Sequence, residues 1–314
     1  DPNHDKPRYH LTLLAKNEAG WKSLSMLSTK ANLEGMYYKP RIDHDLMMEN
    51  SEGIICLSGC AGSEISDAIK NDDYEKAVEV AKWYKSVYKD DFYLELQDHG
   101  HPDCPNHWDV QAKINDGLMK LNKDLDIPLV VTCDSHYLTH ENQDAHEILL
   151  CVGTGSYLSD EKRMSLKEFD LFVTNPRDII ERWGKIDPQI ILNTKEVADK
   201  VDFKFKFGQI LIPKFPLPEG EASEKSLLDK LVFYGLGERY AGIEREVVEK
   251  MTIAEIREKL EKEQLERVDM ELGVLDSMGY NGYFLIVQDF INWGKRQGIV
   301  FGPGRGSAAG SIIA

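Results

Sequence analysis

Between residues 8 and about 195 the chain alternates short apolar runs with longer amphipathic stretches, and this alternation narrows the folds open to it more than any other feature. Residues 9–14, 53–57, 92–96, 129–132 and 171–173 are rich in β-branched or aromatic side chains and are predicted strands. Between them, residues 73–88 carry Val78, Val80, Ala81, Tyr84 and Val87 along one face, and residues 110–125 carry a second such face, so both are predicted amphipathic helices. Strand and helix in turn predict βα units around a mostly parallel sheet or barrel. In such folds the segments just past the strand C-termini share one site, which would gather Ser58-Gly59-Cys60, Asp98-His99 and Cys133-Asp134-Ser135-His136.

The alternation stops at residues 207–220. There Ile212-Pro213-Lys214-Phe215-Pro216-Leu217-Pro218-Glu219-Gly220 carries three prolines and can continue neither a helix nor a central strand. A connector over residues 201–222 is therefore expected between a domain at 1–200 and another at 223–314. Within the latter, residues 223–240 and 252–278 read as helices, the second opening on Thr252-x-x-Glu255 as a capping box. Opposite charges four apart at 257/261 and 258/262 suit a solvated helix face.

The 314 residues carry 38 Lys and Arg against 54 Asp and Glu, a net charge of −16 that disfavours a surface dedicated to nonspecific duplex binding. Cysteines at 56, 60, 104, 133 and 151 form no Cys-x-x-Cys pair, and an odd number without a leader-like N-terminus fits a reducing cytoplasm better than a disulfide framework. No run of about 18 apolar residues is present, so no membrane helix is expected.

Two constellations carry chemistry. Gly302-Pro303-Gly304-Arg305-Gly306-Ser307-Ala308-Ala309-Gly310-Ser311 follows an apolar strand candidate at 298–301, and Ser307, Ala308 and Ala309 would open a helix. Glycines at alternate positions let backbone N–H groups converge on an anion, which makes a phosphate cradle; an ordinary tight turn is the other reading. A Walker A loop is excluded because no lysine stands between Gly302 and Ala314, and a dinucleotide fingerprint would need an acidic partner beyond residue 314. The second constellation is Asp134-x-His136, which on an extended strand end puts a carboxylate and an imidazole on one side, where Cys60 could add a thiolate for a divalent metal. A loop-capping Asp beside a surface His is the alternative. The uneven spacing of His99, His101 and His107 around Cys104 reads as a solvent loop rather than a zinc knuckle, and His140 and His146 as exposed helix residues. No Gly-x-Ser-x-Gly elbow supports a nucleophilic hydrolase.

The Gly-rich tail, with Gly282-Tyr283-Phe284-Leu285-Ile286-Val287-Gln288-Asp289-Phe290 before it, resembles the alpha-subunit family of bacterial DNA polymerase III, the C-family replicative polymerases. Tyr9-His10-Leu11-Thr12-Leu13-Leu14-Ala15, Glu34-Gly35 through Lys39-Pro40-Arg41-Ile42, Leu57-Ser58-Gly59-Cys60, Phe92-Tyr93-Leu94-Glu95-Leu96-Gln97 and Asp134-Ser135-His136-Tyr137 resemble, in order, that family's N-terminal PHP domain. The resemblance covers essentially the whole chain. It implies an α/β fold: a PHP-type distorted (βα)7 barrel, incomplete at its N-terminus, followed by the helical N-terminal part of a nucleotidyltransferase-like palm. It implies DNA-templated DNA synthesis by the parent polymerase, in which Gly304, Arg305, Gly306 and Ser307 hold the triphosphate of the incoming nucleotide. The Mg²⁺-binding aspartates of the family stand in a Pro-Asp-x-Asp-x-Asp string that does not occur in this chain, so the chain alone is expected to be inert as a polymerase. His10, Cys60, Asp134 and His136 fall on four PHP metal-ligand positions, which implies a site for Zn²⁺ or for Mn²⁺ or Fe²⁺ with a 3′–5′ exonuclease or phosphoesterase role. Further ligands precede the matched region in the family, so weak metal occupancy is expected in this chain by itself. A free-standing PHP phosphoesterase and a non-catalytic PHP scaffold that docks a proofreading exonuclease are the rival readings. The implied partners are primer-template DNA, deoxynucleoside triphosphates, the proofreading exonuclease, the sliding clamp and the clamp loader, with no membrane.

Overall fold

The computed structural model describes residues 8–209, 211–302, 304 and 306–314. They fall into two compact units, the first ending at Phe205 and the second beginning at Lys206.

In the first unit β1 (Thr12–Ala15) leads into α1 (Glu18–Leu33), whose N-cap Asn17 accepts the Gly20 N–H through its side chain at 3.1 Å. A short hairpin follows, β2 (Met36–Tyr37) and β3 (Lys39–Pro40), and then α2 (His44–Glu49). The chain continues as β4 (Ile54–Leu57), α3 (Glu64–Lys70), α4 (Tyr74–Tyr88), β5 (Phe92–Gln97), α5 (Asp109–Leu125) and β6 (Leu129–Thr132). Three more helices complete the unit: α6 (Gln143–Thr154), α7 (Pro176–Trp183) and α8 (Pro188–Lys200).

Four strands form one sheet in the order β1-β4-β5-β6. The pairs β4–β5 and β5–β6 are parallel, and β1 lies antiparallel on β4 with Thr12 opposite Leu57. Apolar residues on both faces of β4, β5 and β6 are the signature of a sheet covered on both sides. Ile54, Cys56, Phe92, Leu94, Leu96, Leu129 and Val131 pack under α3, α4 and α5, whereas Ile55, Leu57, Tyr93 and Val130 meet Leu14 and the α8 residue Val197. The α5 stripe Ile114, Leu118 and Leu121 is fully buried, and each such side chain contributes at most about 1.5–3 kcal/mol. Strand β6 lies at a sheet edge, where the Asn193 amide donates to the Leu129 carbonyl at 2.8 Å and Thr194 Oγ1 accepts the Val131 N–H at 3.4 Å. Helix α8 thus satisfies groups that another strand would otherwise seek.

The second unit is helical. It comprises α9 (Glu224–Arg239), α10 (Arg245–Val248), α11 (Ile253–Arg257), α12 (Lys262–Met278) and α13 (Asn281–Arg296). Its core is built from Leu228, Phe233, Leu236, Val248, Ile256, Val268, Leu272 and Leu285.

Several expectations are corrected. The strand expected over residues 9–14 begins only at Thr12, because the His10 N–H is taken by the Gly62 carbonyl at 3.0 Å. Residues 171–173 form a single bridge between Tyr137 and Phe172. Residues 298–301 are not a strand: Gly298 turns at φ 77° and the Ile299 N–H caps the Gly294 carbonyl of α13 at 3.0 Å, which takes the backbone out of ladder geometry. The helix expected over 252–278 is two helices. The Thr252–Glu255 capping box opens α11, and Glu261 forms a second box with Gln264 to start α12. With the break between them, Arg257 turns from residue 261 to Asp269, which it grips through both nitrogens at 2.7 Å.

Candidate functional site

Parallel β4, β5 and β6 end on the same side of the sheet, and antiparallel β1 begins there. Four segments therefore meet at one rim: His10 before β1, Ser58-Gly59-Cys60 after β4, residues 98–100 after β5 and residues 133–136 after β6. A cavity of about 360 Å³ opens among His10, Thr12, Cys60, Glu95, Gln97 and Asp134. His10 Nδ1 and Cys60 Sγ are in contact at 3.5 Å. Gly59 makes that approach possible. It sits at φ 84°, and a Cβ there would stand 2.9 Å from the His10 carbonyl oxygen.

Glu95 lies buried in this cavity, 6% exposed. One carboxylate oxygen accepts the Gly59 N–H at 3.2 Å and the other the Thr132 hydroxyl at 2.8 Å, while the Glu95 N–H goes to the Ser58 hydroxyl at 2.8 Å. The side chain therefore ties the Cys60 turn to β5 and β6. Burial raises its pKa, against the opposing hydrogen bonds from Thr132, Thr12 and Gly59. Burial likewise raises the Cys60 thiol, and the charges of Asp134 and Glu95 add to that, so a neighbouring cation is what would favour the thiolate.

Asp134 and His136 are placed otherwise than an extended strand end requires. Asp134 adopts φ 47°, and His136 Nδ1–H folds back to donate to the Asp134 carbonyl at 2.6 Å. Alternation thus does not relate the two side chains. Asp134 lines the cavity, and His136 lies outside its lining beside His146, with ring centroids 5.5 Å apart. Since a carbonyl only accepts, the bond protonates Nδ1 and leaves the lone pair of His136 on Nε2.

The string from Asp98 to Cys104 is not a solvent loop. Asp98 is 2% exposed and His99 3%, and His101 and Cys104 are buried as well. Asp98 accepts the Trp183 indole N–H at 2.5 Å and pairs with Arg182 at 3.1 Å; His99 stacks on Phe169 with centroids 4.8 Å apart. Because Gln97 Oε1 accepts from His99 Nε2 at 3.0 Å, the lone pair falls on Nδ1, which is buried with no hydrogen-bond partner among the described residues. Burial and the charge of His136 lower the His99 pKa to about 4, so the ring is neutral at pH 7. His99 was expected at the rim but as part of a solvent loop, whereas Glu95 and Gln97 were missed as site residues. Their signal was a carboxylate and an amide alternating with apolar residues inside a buried strand, which must find polar partners there. Glu147 on α6 is also buried, held by Arg163 at 2.6 Å.

Imidazole, thiol and carboxylate groups around one cavity match a divalent ion in kind. Among the described residues no three His, Cys, Asp or Glu side chains are gathered as the ligands of one ion.

In the second unit, Pro303 and Arg305 lie outside the described residues. Gly304 and Gly306 take φ 74° and 77°, values that favour glycine, and residues Gly306–Gly310 form a 3₁₀ turn rather than an α-helix. A Cβ at Gly302, Gly304, Gly306 or Gly310 would meet nothing within 4 Å. No helix among the described residues is long and apolar enough to cross a membrane.

Residues 2–99 match the family model of the PHP domain, and residues 226–314 match that of the bacterial DNA polymerase III alpha NTPase domain. The chain is 37% identical over 310 residues to the DNA polymerase III subunit alpha of Borreliella burgdorferi, a match covering 98% of the chain and 25% of that protein. It is 34% identical over 335 residues to the protein of that name from Campylobacter jejuni, covering 100% of the chain and 27% of the relative. The corresponding protein of Thermus aquaticus is 35% identical over 351 residues, covering 98% and 28%. The chain thus spans about a quarter of the length of the curated relatives it matches.

Proposed function

We propose that this chain, which belongs to the family of bacterial DNA polymerase III alpha subunits, serves template-directed DNA synthesis as the PHP region and the opening of the NTPase region of a replicative polymerase. The observation that carries this reading is the succession of the two family matches along one chain, together with similarity to alpha subunits over 98% of its length. The domains proposed are a PHP domain at 1–200 of distorted (βα)7-barrel type, a connector at 201–222 and the helical start of the palm at 223–314.

In the palm portion, Gly304, Arg305, Gly306 and Ser307 receive the triphosphate of the incoming deoxynucleotide. Positive φ at both Gly304 and Gly306 supports the reading, because such a turn can aim successive N–H groups at one anion. Ser307 adds a hydroxyl donor. The Mg²⁺ ions of phosphoryl transfer are held by aspartates elsewhere in the polymerase. In the PHP portion, His10, Cys60, Asp134 and His136 contribute ligands to a centre for Zn²⁺, Mn²⁺ or Fe²⁺, and the free His99 Nδ1 is a fifth donor. A divalent ion there would polarise a phosphate ester and supply a hydroxide for 3′-end hydrolysis. Glu95 holds the Cys60 turn in place, and the bond from His136 to the Asp134 carbonyl leaves Nε2 free to ligate. Primer-template DNA, a proofreading exonuclease, the sliding clamp and the clamp loader are the partners proposed, in the cytoplasm.

The test is steady-state nucleotide incorporation by the complete polymerase. Ser307→Ala removes one hydrogen bond to a charged group, worth about 1.5–3 kcal/mol, and is expected to lower kcat/KM by about ten- to a hundred-fold. Gly306→Val is expected to lower it further, since valine resists φ 77°. Wild-type kinetics in both variants would remove the nucleotide assignment.

A further inference from the structure

At the described glycines of the Gly-rich segment, 302, 304, 306 and 310, a Cβ would meet open space. Its downstream end is held tightly. Glu271 Oε2 accepts the Ser311 hydroxyl at 2.7 Å and the N–H groups of Ile312 at 3.0 Å and Ile313 at 3.4 Å. Arg267, one turn earlier on α12, pairs with Glu271 and donates through Nη2 to the Gly310 carbonyl at 2.8 Å. Two side chains thus satisfy donors and acceptors of residues 310–313 together. They are rooted in the core, because Val268 and Leu272 of the same helix are buried in the second unit. Ser307 lines a cavity of about 300 Å³ with Arg267, Glu271 and Ser311, so the clamp and the proposed nucleotide hydroxyl share one space.

We infer that Glu271, braced by Arg267, is the positioning residue of the nucleotide loop: by holding Ser311 and the 312–313 amides it fixes where Gly304, Gly306 and Ser307 stand. The inference rests on the nucleotide reading of that loop. Glu271 exerts this role through the Ser311 hydroxyl and the 312–313 amides. Its loss should therefore spread the loop over many positions, most of which cannot bind, and weaken nucleotide binding more than the chemical step.

Two measurements test this. In the 314-residue chain, Glu271→Ala should speed hydrogen exchange at the Ile312 and Ile313 amides by about ten-fold or more while leaving exchange in α9 unchanged. In the complete polymerase, the same variant should raise KM for deoxynucleotide by about ten-fold and change kcat by less than about three-fold, and Glu271→Gln, which keeps an acceptor oxygen, should recover most of the loss. Unchanged exchange at 312 and 313 would overturn the clamp. If Ser307→Ala raises KM and Glu271→Ala does not, the positioning role is overturned and the nucleotide reading stands. If neither variant changes kinetics, the nucleotide reading fails, and the inference with it.

Discussion

At the scale of single residues, backbone conformation and hydrogen-bond accounting decide what the site can do. Asp134-x-His136 and Cys60 were legible as ligand types, yet their relation was not, because the left-handed turn at Asp134 is set by where β6 leaves the sheet. Conversely, His99 looked like part of a polar loop. Its stacking on Phe169 and its bond to Gln97 come from residues that only the fold brings near or orients. These groups yield a prediction about metal. In the complete polymerase, Asp134→Ala, His136→Ala and His99→Gln should each weaken divalent-ion binding by about ten- to a hundred-fold, measured by metal content after dialysis against graded chelator. Unchanged content in all three variants would count against a PHP metal centre on these ligands.

At the scale of elements, periodicity and capping were reliable where the element packs against a core. The faces at 73–88 and 110–125 became Tyr74–Tyr88 and Asp109–Leu125, and Ser223 caps Glu224–Arg239 through its side chain. Helix α6 carries a buried carboxylate that no sequence reading singled out. Glu147, 1% exposed, accepts from Arg163, from the Ser165 hydroxyl at 2.8 Å and from the Leu166 N–H at 2.9 Å, which joins α6 to the segment after it. Burial alone would raise its pKa; the Leu166 N–H, Arg163 and Ser165 together hold it below the usual glutamate value. A depressed folded pKa contributes stability that is fully present above the unfolded value of about 4.3 and is lost as pH falls through the lower folded value. Wild-type melting temperature should therefore drop relative to Glu147→Gln between about pH 5 and pH 3, and parallel curves would contradict this bond set.

At the scale of the whole molecule, two cores account for the two family matches, one around a sheet and one among helices. The net charge of −16 disfavours a surface dedicated to nonspecific duplex binding. Phe203 stacks on Trp21 and Phe205 meets it edge-on, at centroid distances of 5.7 and 5.0 Å, so the start of the proposed connector belongs physically to the first unit. From there to α9 the described residues form no helix or strand. Limited proteolysis should cut first between residues 206 and 223 and release two resistant fragments, since cleavage needs extended, locally unfolded backbone. Earlier cutting inside α4 or α5 would contradict that order.

The sequence by itself determined the strands at β4, β5 and β6, the helices α4 and α5, the proline break and the resemblance to the family, because periodicity, backbone stiffness and motif order are properties of neighbouring residues. Only the tertiary structure decided which strand candidates find partners: residues 12–15 pair with β4, whereas Gly298 and Ile299 are drawn into capping α13. It also decided that Glu95 and His99 face inward and that Glu271 reaches across some forty residues to hold Ser311. Those outcomes depend on competition for hydrogen-bond partners distant in sequence, which no local pattern encodes.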